Sequence, residues 1–209
     1  MKRSLLAAAL VGLAAFASGS AARAGTIPYP GPPFTINLAV YNFTAATTGD
    51  IVGAFFGFNA ADADAIDMLV NGVVSPAGTG FPNQTSIIGS TFDFGAVNAG
   101  DAITFVLHNT TTGTDISSVP SLNGDGFQHI YSTDFGGNGT IPAGTYVAFE
   151  DLLASQGSDF DYNDDSFVFF NLATNTGSTP IPGALPLFAS GIGLIGVLAL
   201  RRKRKNLAT

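Results

Sequence analysis

Between Gly25 and Leu200 the chain contains no lysine and no arginine. The basic residues Lys2, Arg3, Arg23, Arg201, Arg202, Lys203, Arg204 and Lys205 all lie in the terminal segments, whereas all 15 Asp and Glu side chains lie between them. The formal charge of -7 for the whole chain therefore conceals a central region that carries 15 carboxylates and no fixed cation. Whatever this region folds into, no Lys or Arg ion pair holds it together, and only His108 and His129 offer a positive charge. Self-repulsion on this scale favours solubility and opposes compaction, and bound divalent cations would relieve it. Phosphate recognition needs Lys and Arg, so nucleic acid is not an expected partner. The absence of Cys removes disulfides, thiolate metal sites and thiol catalysis.

The ends read as export signals. Lys2 and Arg3, an apolar run over Leu5–Ala17 and small residues ending Ala22-Arg23-Ala24 make a secretory signal peptide over 1–24, with cleavage expected after Ala24. A Pro-rich stretch, 25–34, reads as an extended leader without a core role. Residues 35–176 are then long enough for one sizeable core, and 177–209 form a separate tail.

Gly, Thr, Asn and Phe are frequent and helix formers scarce in the central region, which predicts an all-β domain. Thr35–Phe43 alternates, with Ile36, Leu38, Val40 and Asn42 on one face. Ile51–Phe58 reads as an apolar strand, and Ala65–Val70 leads into the hairpin signal Asn71-Gly72, with a short helix over Ala60–Leu69 as the competing reading. Ser90–Phe94 and Ala102–His108 read as a strand pair around Asn98–Asp101, with Ile103, Phe105 and Leu107 inward. Phe127–Ser132, Tyr146–Phe149 and Phe167–Leu172 complete about eight strands, the pattern of a single β-sandwich of jelly-roll type.

Between the last two strands lies an acidic loop holding Glu150, Asp151, Asp159, Asp161, Asp164 and Asp165. Such crowded carboxylates repel unless protons or a cation intervene. Asp159, Asp161, Asn163 and Asp165 recur at every second position, so an extended chain would aim their oxygens one way. An oxygen-only set suits a hard cation, Ca2+ ahead of Mg2+; the bland alternative is a solvated acidic turn. An EF-hand is excluded, because Asp164 stands where the loop needs Gly and Phe170 where it needs Glu.

Two stretches carry family resemblances. Asp125–Gly136, Pro142–Leu152 with its Phe-Glu-Asp-Leu block, and Gly157–Asp164 with Asp-Phe-Asp-Tyr-Asn-Asp resemble a bacterial surface-protein domain of unassigned function. The resemblance covers roughly 34–172 and implies a β-sandwich with a Ca2+ site. Its implied ligands are Glu150, Asp151, Asp159, Asp161, Asn163 and Asp164; Asp165 departs from the pattern, which usually has an apolar residue there. The tail from Pro180 to Lys205 resembles a PEP-CTERM sorting signal of the Val-Pro-Leu-Pro-Ala subtype: a motif marked by Pro180 and Pro182, an apolar run Ala184–Leu200, and a basic cluster. Ile181 stands where the common motif has Glu. The apolar run would make a helix of roughly 25 Å at ~1.5 Å per residue, enough to cross a bilayer core with the basic cluster cytoplasmic. A plain membrane anchor is the simpler alternative. The resemblance implies a Gram-negative bacterium, transient insertion in the inner membrane, an exosortase-like processing enzyme as partner, and release to the cell envelope or a biofilm matrix of exopolysaccharide.

Nothing marks a catalytic centre. Adjacent Glu150 and Asp151 point to opposite faces of a strand rather than across a glycosidic cleft, and no Gly-x-Ser-x-Gly elbow is present. The Asn-x-Thr triplets at Asn42, Asn83, Asn109 and Asn138 are expected by chance in so Thr-rich a chain. The expected function is therefore a non-enzymatic, exported structural or interaction protein with a Ca2+-stabilised acidic loop. A carbohydrate-binding module that retains secreted polysaccharide is the alternative.

Overall fold

Alternating and continuous apolar runs produce eleven strands in a computed structural model that describes Ile27, Tyr29 and residues 33–178. They are β1 (Ala39–Ala45), β2 (Gly49–Phe58), β3 (Asp64–Val70), β4 (Val73–Val74), β5 (Thr91–Val97), β6 (Ala102–Asn109), β7 (Thr114–Ser117), β8 (Ile130–Phe135), β9 (Gly144–Phe149), β10 (Asp165–Phe170) and β11 (Leu172–Ser178). All paired strands run antiparallel, in two sheets. One sheet has the order β11-β1-β6-β3-β4, with β7 also on β6; the other has the order β5-β2-β10-β9-β8. Their facing sides form a β-sandwich core in which Phe105 of β6 stacks on Phe169 of β10 at a centroid distance of 4.0 Å.

The inward set on β6 is Ile103, Phe105 and Leu107, as the alternation predicts. β3 and β4 close through Asn71-Gly72, whose φ values of 51° and 82° are those of a two-residue primed turn. The helical alternative for Ala60–Leu69 is not adopted.

Other expectations need correction. β5 and β6 do not pair: the turn at Asn98–Asp101 carries the chain from one sheet to the other. A tight turn in sequence suggested a hairpin, but only the strand partners decide which sheet each arm joins. On β1 the buried side chains are Tyr41, Phe43 and Ala45, while Leu38 is 68% exposed. The aromatic weight of Tyr41 and Phe43 outcompetes the aliphatic face, and regular pairing starts only at Ala39. The sequence also hid β7 and β11. β10 and β11 are separated only by Asn171, at φ 60°, where the chain switches sheets. Because β11 pairs with β1 as far as Ser178, the sandwich extends past residue 176.

The leader has a packing role. The Tyr29 ring meets Tyr131 and Tyr146, and its hydroxyl lies 2.7 Å from that of Tyr146. Phe34 N–H donates to the Asp159 carbonyl, tying the leader to the acidic loop. Among the described residues no helix is long and apolar enough to cross a membrane. Ala22, Ala24, Pro180, Pro182 and the apolar tail segment lie outside the described residues.

Candidate metal centre

Five strand ends meet at one rim of the sandwich. Asp64, opening β3, pairs with Asn109, closing β6; Asp165, opening β10, lies between Phe149, closing β9, and Phe58, closing β2. Connections leaving this rim carry most of the predicted ligands. The chain alternation that separates neighbours on a strand continues past Phe149, and Glu150 and Asp151 go to two different clusters.

Glu150 is wholly buried and anchors the loop. Its carboxylate accepts from the Ser158 hydroxyl (2.5 Å), from Phe160 N–H (2.9 Å) and from Tyr162 N–H. Phe160 and Tyr162 sit at φ 51° and 57°, a left-handed conformation uncommon for bulky residues. Their rings are buried, Phe160 against His129 and Tyr162 with its hydroxyl accepting from Asn37 N–H. Ring burial and the Glu150 acceptors together hold this backbone in place. The turned backbone leaves Asp159 and Asp161 half-buried beside Glu150, and one carboxylate oxygen from each of the three lies within 4.8 Å of the others. That spread is about twice a Ca2+–oxygen distance of ~2.4 Å, so a single hard cation fits among them. Among the described residues there is no Lys or Arg to compete for the position.

Burial lifts the Glu150 carboxyl to about 7, against the pull of Ser158 and the Tyr162 N–H and with the Asp164 charge adding to the rise. Asp161 is raised by burial and by the neighbouring Asp159 charge. Both shifts reflect first the burial of the carboxyl and then a neighbouring negative charge. Asn163 does not offer its oxygen here: its amide donates to Asp161, while its Oδ1 accepts from Asn59 at 2.9 Å.

Asp151 and Asp164 belong to the second cluster. Asp151 N–H donates to Asp164 Oδ2 at 3.0 Å, and both residues line a cleft of ≈ 230 Å³ with Asp62 and Asp159. Behind it lie Asp64 and Asp165, 2% and 0% exposed. Asn83 donates to Asp64 Oδ2 (3.0 Å) and Asp165 Oδ2 (3.3 Å), and Asn109 donates to Asp62 Oδ2 (2.8 Å). Burial raises the carboxyls of Asp64, Asp151, Asp164 and Asp165. The Asp62 charge adds to Asp64 and the Asp64 charge to Asp151, each against a lowering hydrogen bond from its paired carboxyl, whereas Asp164 and Asp165 are pushed further up by Asp151 and Asp64. Asp62, Asp64, Asn83 and Asn109 were not among the predicted residues. A signal was present in the alternation of Asp62 and Asp64, but sheet pairing, not spacing, brings them to the loop. Asn83 and Asn109 are 1% exposed, so their Asn-x-Thr triplets serve interior hydrogen bonds rather than glycosylation.

Both histidines are engaged. His129 is buried, its Nε2 3.0 Å from Asp125 Oδ2, and burial holds its pKa down despite that carboxylate. His108 bridges Asp67 and Asp115 on the strand surface. No protein-family model, curated protein or solved structure matches this chain.

Proposed function

We propose that this chain is an exported, non-enzymatic structural or interaction protein of a bacterial envelope or exopolysaccharide matrix, with a sandwich fastened by Ca2+. The observation that carries the cation is the convergence of Glu150, Asp159 and Asp161 within 4.8 Å in a region without Lys or Arg. The ion would join the end of β9 to the turned loop, so its role is to hold the rim rather than to activate a substrate. The jelly-roll reading draws support from the pairing of first with last strands, β1 with β11 and β2 with β10, although β3 pairs with β6 instead of a late strand. Export and sorting rest on the sequence alone: signal peptide, Pro-marked motif, apolar run and basic cluster. In this reading an exosortase-like enzyme removes the tail after the chain has paused in the inner membrane.

Melting of the full chain in mild detergent, with Ca2+ or with chelator, tests the cation. A rise of several degrees with Ca2+, less with Mg2+, and its loss in Asp159→Ala or Asp161→Ala is the expected result. Unchanged melting at millimolar Ca2+ would leave the loop a solvated turn. Intact mass of envelope material tests the sorting: the mature form should lack 1–24 and Arg201–Lys205, and retention of the basic cluster would reduce the tail to an anchor.

A further inference from the structure

The segment that leads into β1 and the acidic loop hold each other through two backbone donors. Phe34 N–H donates to the Asp159 carbonyl, and Asn37 N–H donates to the Tyr162 hydroxyl at 2.6 Å. The stretch from Asp159 to Tyr162 is the one that Glu150 gathers, since its carboxylate takes the Phe160 and Tyr162 N–H groups. Tyr29 belongs to the same arrangement: burial raises its hydroxyl pKa, the bond with Tyr146 lowers it, and the nearby Asp161 charge raises it. Asn37 carries the connection inward. It is buried, and its amide donates to the Tyr41 hydroxyl of β1 (2.9 Å) and to the Ile130 carbonyl of β8 (3.0 Å), while its Oδ1 accepts from Ala39 N–H (3.0 Å). Nearby, the Tyr162 hydroxyl donates to the Gln128 carbonyl (3.3 Å) and Gln128 Nε2 to the Ala39 carbonyl (3.0 Å). Among the described residues β8 is the last strand of its sheet. Residues 33–38 therefore bridge β1 of one sheet and the edge strand of the other. An edge left uncovered offers its backbone groups to another chain.

We propose that residues 33–38 form a strap whose closure over the start of β8 is coupled to the cation at Glu150, Asp159 and Asp161, an inference that rests on the Ca2+ reading above. The ion fixes the loop, and the Asp159 carbonyl and Tyr162 hydroxyl of the loop fix the strap. Without the ion the three carboxylates repel one another. Phe160 and Tyr162, at φ 51° and 57°, keep a backbone uncommon for bulky residues, and Glu150 is the acceptor for both N–H groups. Spreading the carboxylates apart therefore disturbs the same stretch that holds the strap, and both strap donors lose their acceptors together. The coupling is reciprocal, so a docked strap also tightens the ion. Where the cation is plentiful the β8 edge stays covered. Where it is scarce the strap opens, and the Gln128 and Ile130 carbonyls become available to a further strand.

Hydrogen exchange resolved to single amides reads the strap, and native mass spectrometry of the same full chain in mild detergent reads the ion. In wild type, Ca2+ should slow exchange at Phe34 and Asn37 about tenfold relative to chelator. Gly100, whose N–H donates to the Ala45 carbonyl at the opposite end of the sandwich, should change far less. Tyr162→Phe removes the hydroxyl and keeps the ring. It should weaken the ion about fivefold and, at saturating Ca2+, leave Asn37 exchanging as fast as in chelator. Asp159→Ala with Asp161→Ala should lose the ion, and both strap amides should then exchange alike with Ca2+ and with chelator. A bound ion with Phe34 and Asn37 unprotected, or with Gly100 slowed as much as they are, overturns the strap and leaves the Glu150 reading standing. No bound ion overturns both.

Discussion

Raising the pH should weaken the metal-free protein where it would strengthen most others. The perturbation is a shift from about pH 4.5 to pH 8 in chelator. Glu150, fully buried, has its carboxyl lifted from the ordinary 4.5 to about 7. Asp64, Asp151, Asp161, Asp164 and Asp165 are raised too, in each case chiefly by burial. When the folded value exceeds the unfolded one, the native state binds more protons across the interval, so stability falls as pH rises through it. Stability from Glu150 is fully present below about pH 4.5 and is lost as pH passes 7. At 1.36 kcal/mol per pH unit this group alone accounts for roughly 3 kcal/mol, a sizeable part of an ordinary domain's 5–15 kcal/mol. The aspartates add to it, but less than their sum, because they share charge and protons. At roughly 2–4 °C per kcal/mol, the chelated protein should melt about 6–12 °C lower at pH 8 than at pH 4.5. Saturating Ca2+ should reverse the slope, since acid then displaces the ion. Differential scanning calorimetry at half-unit pH steps, with and without Ca2+, is the assay. A chelated protein whose melting temperature is flat or rises over this interval would show that these carboxylates are not held without counter-charge, and the electrostatic argument would fail.

Three further outcomes follow from the packing and the surface. Gly144→Ala puts a Cβ 2.7 Å from the Phe169 carbonyl and should cost about 1–3 kcal/mol in chemical denaturation, whereas Gly177→Ala, with nothing within 4 Å, should cost almost nothing. Phe169→Ala removes the ring that stacks on Phe105 between the sheets and should cost about 3–5 kcal/mol, read as a lower denaturation midpoint. Burial works against charge on His108, but Asp115 and Asp67 outweigh it and hold its pKa above the usual 6.5. His108→Gln should therefore cost up to about 1 kcal/mol below pH 6 and nothing at pH 9, because the contribution disappears as pH rises through the folded value.

The strands were legible where side chains alternate strongly, as in Ile103-Thr-Phe-Val-Leu107, because a period of two needs no knowledge of partners. Sheet membership was not legible. Asn98–Asp101 looks like a hairpin turn, and only the pairing of β5 with β2 and of β6 with β3 shows it to be a crossing between sheets. β11 was hidden for a related reason: Leu172-Ala-Thr-Asn-Thr-Gly-Ser has little apolar content and earns its place by pairing along β1.

The acidic loop divides the same way, and the division bears on its function. Its density of carboxylates is plain in sequence, and so is the opposition of Glu150 and Asp151. The alternation from Asp159 to Asp165 assumed extended chain, but Phe160 and Tyr162 are left-handed, so Asp159 and Asp161 turn back toward Glu150 while Asp165 starts a strand and faces Asp64. What reads as one acidic run is therefore two groups on either side of a loop that Glu150 itself folds by accepting its N–H groups. The groups differ in how they depend on the rest of the fold. The Glu150 group draws on residues within one connection and can form as soon as β9 and its loop are in place. The Asp64–Asp165 group needs β3, β6 and β10 assembled from both sheets, together with Asn83 from a distant connection. A cation at the first would order a loop, whereas the second comes together only in the finished sandwich.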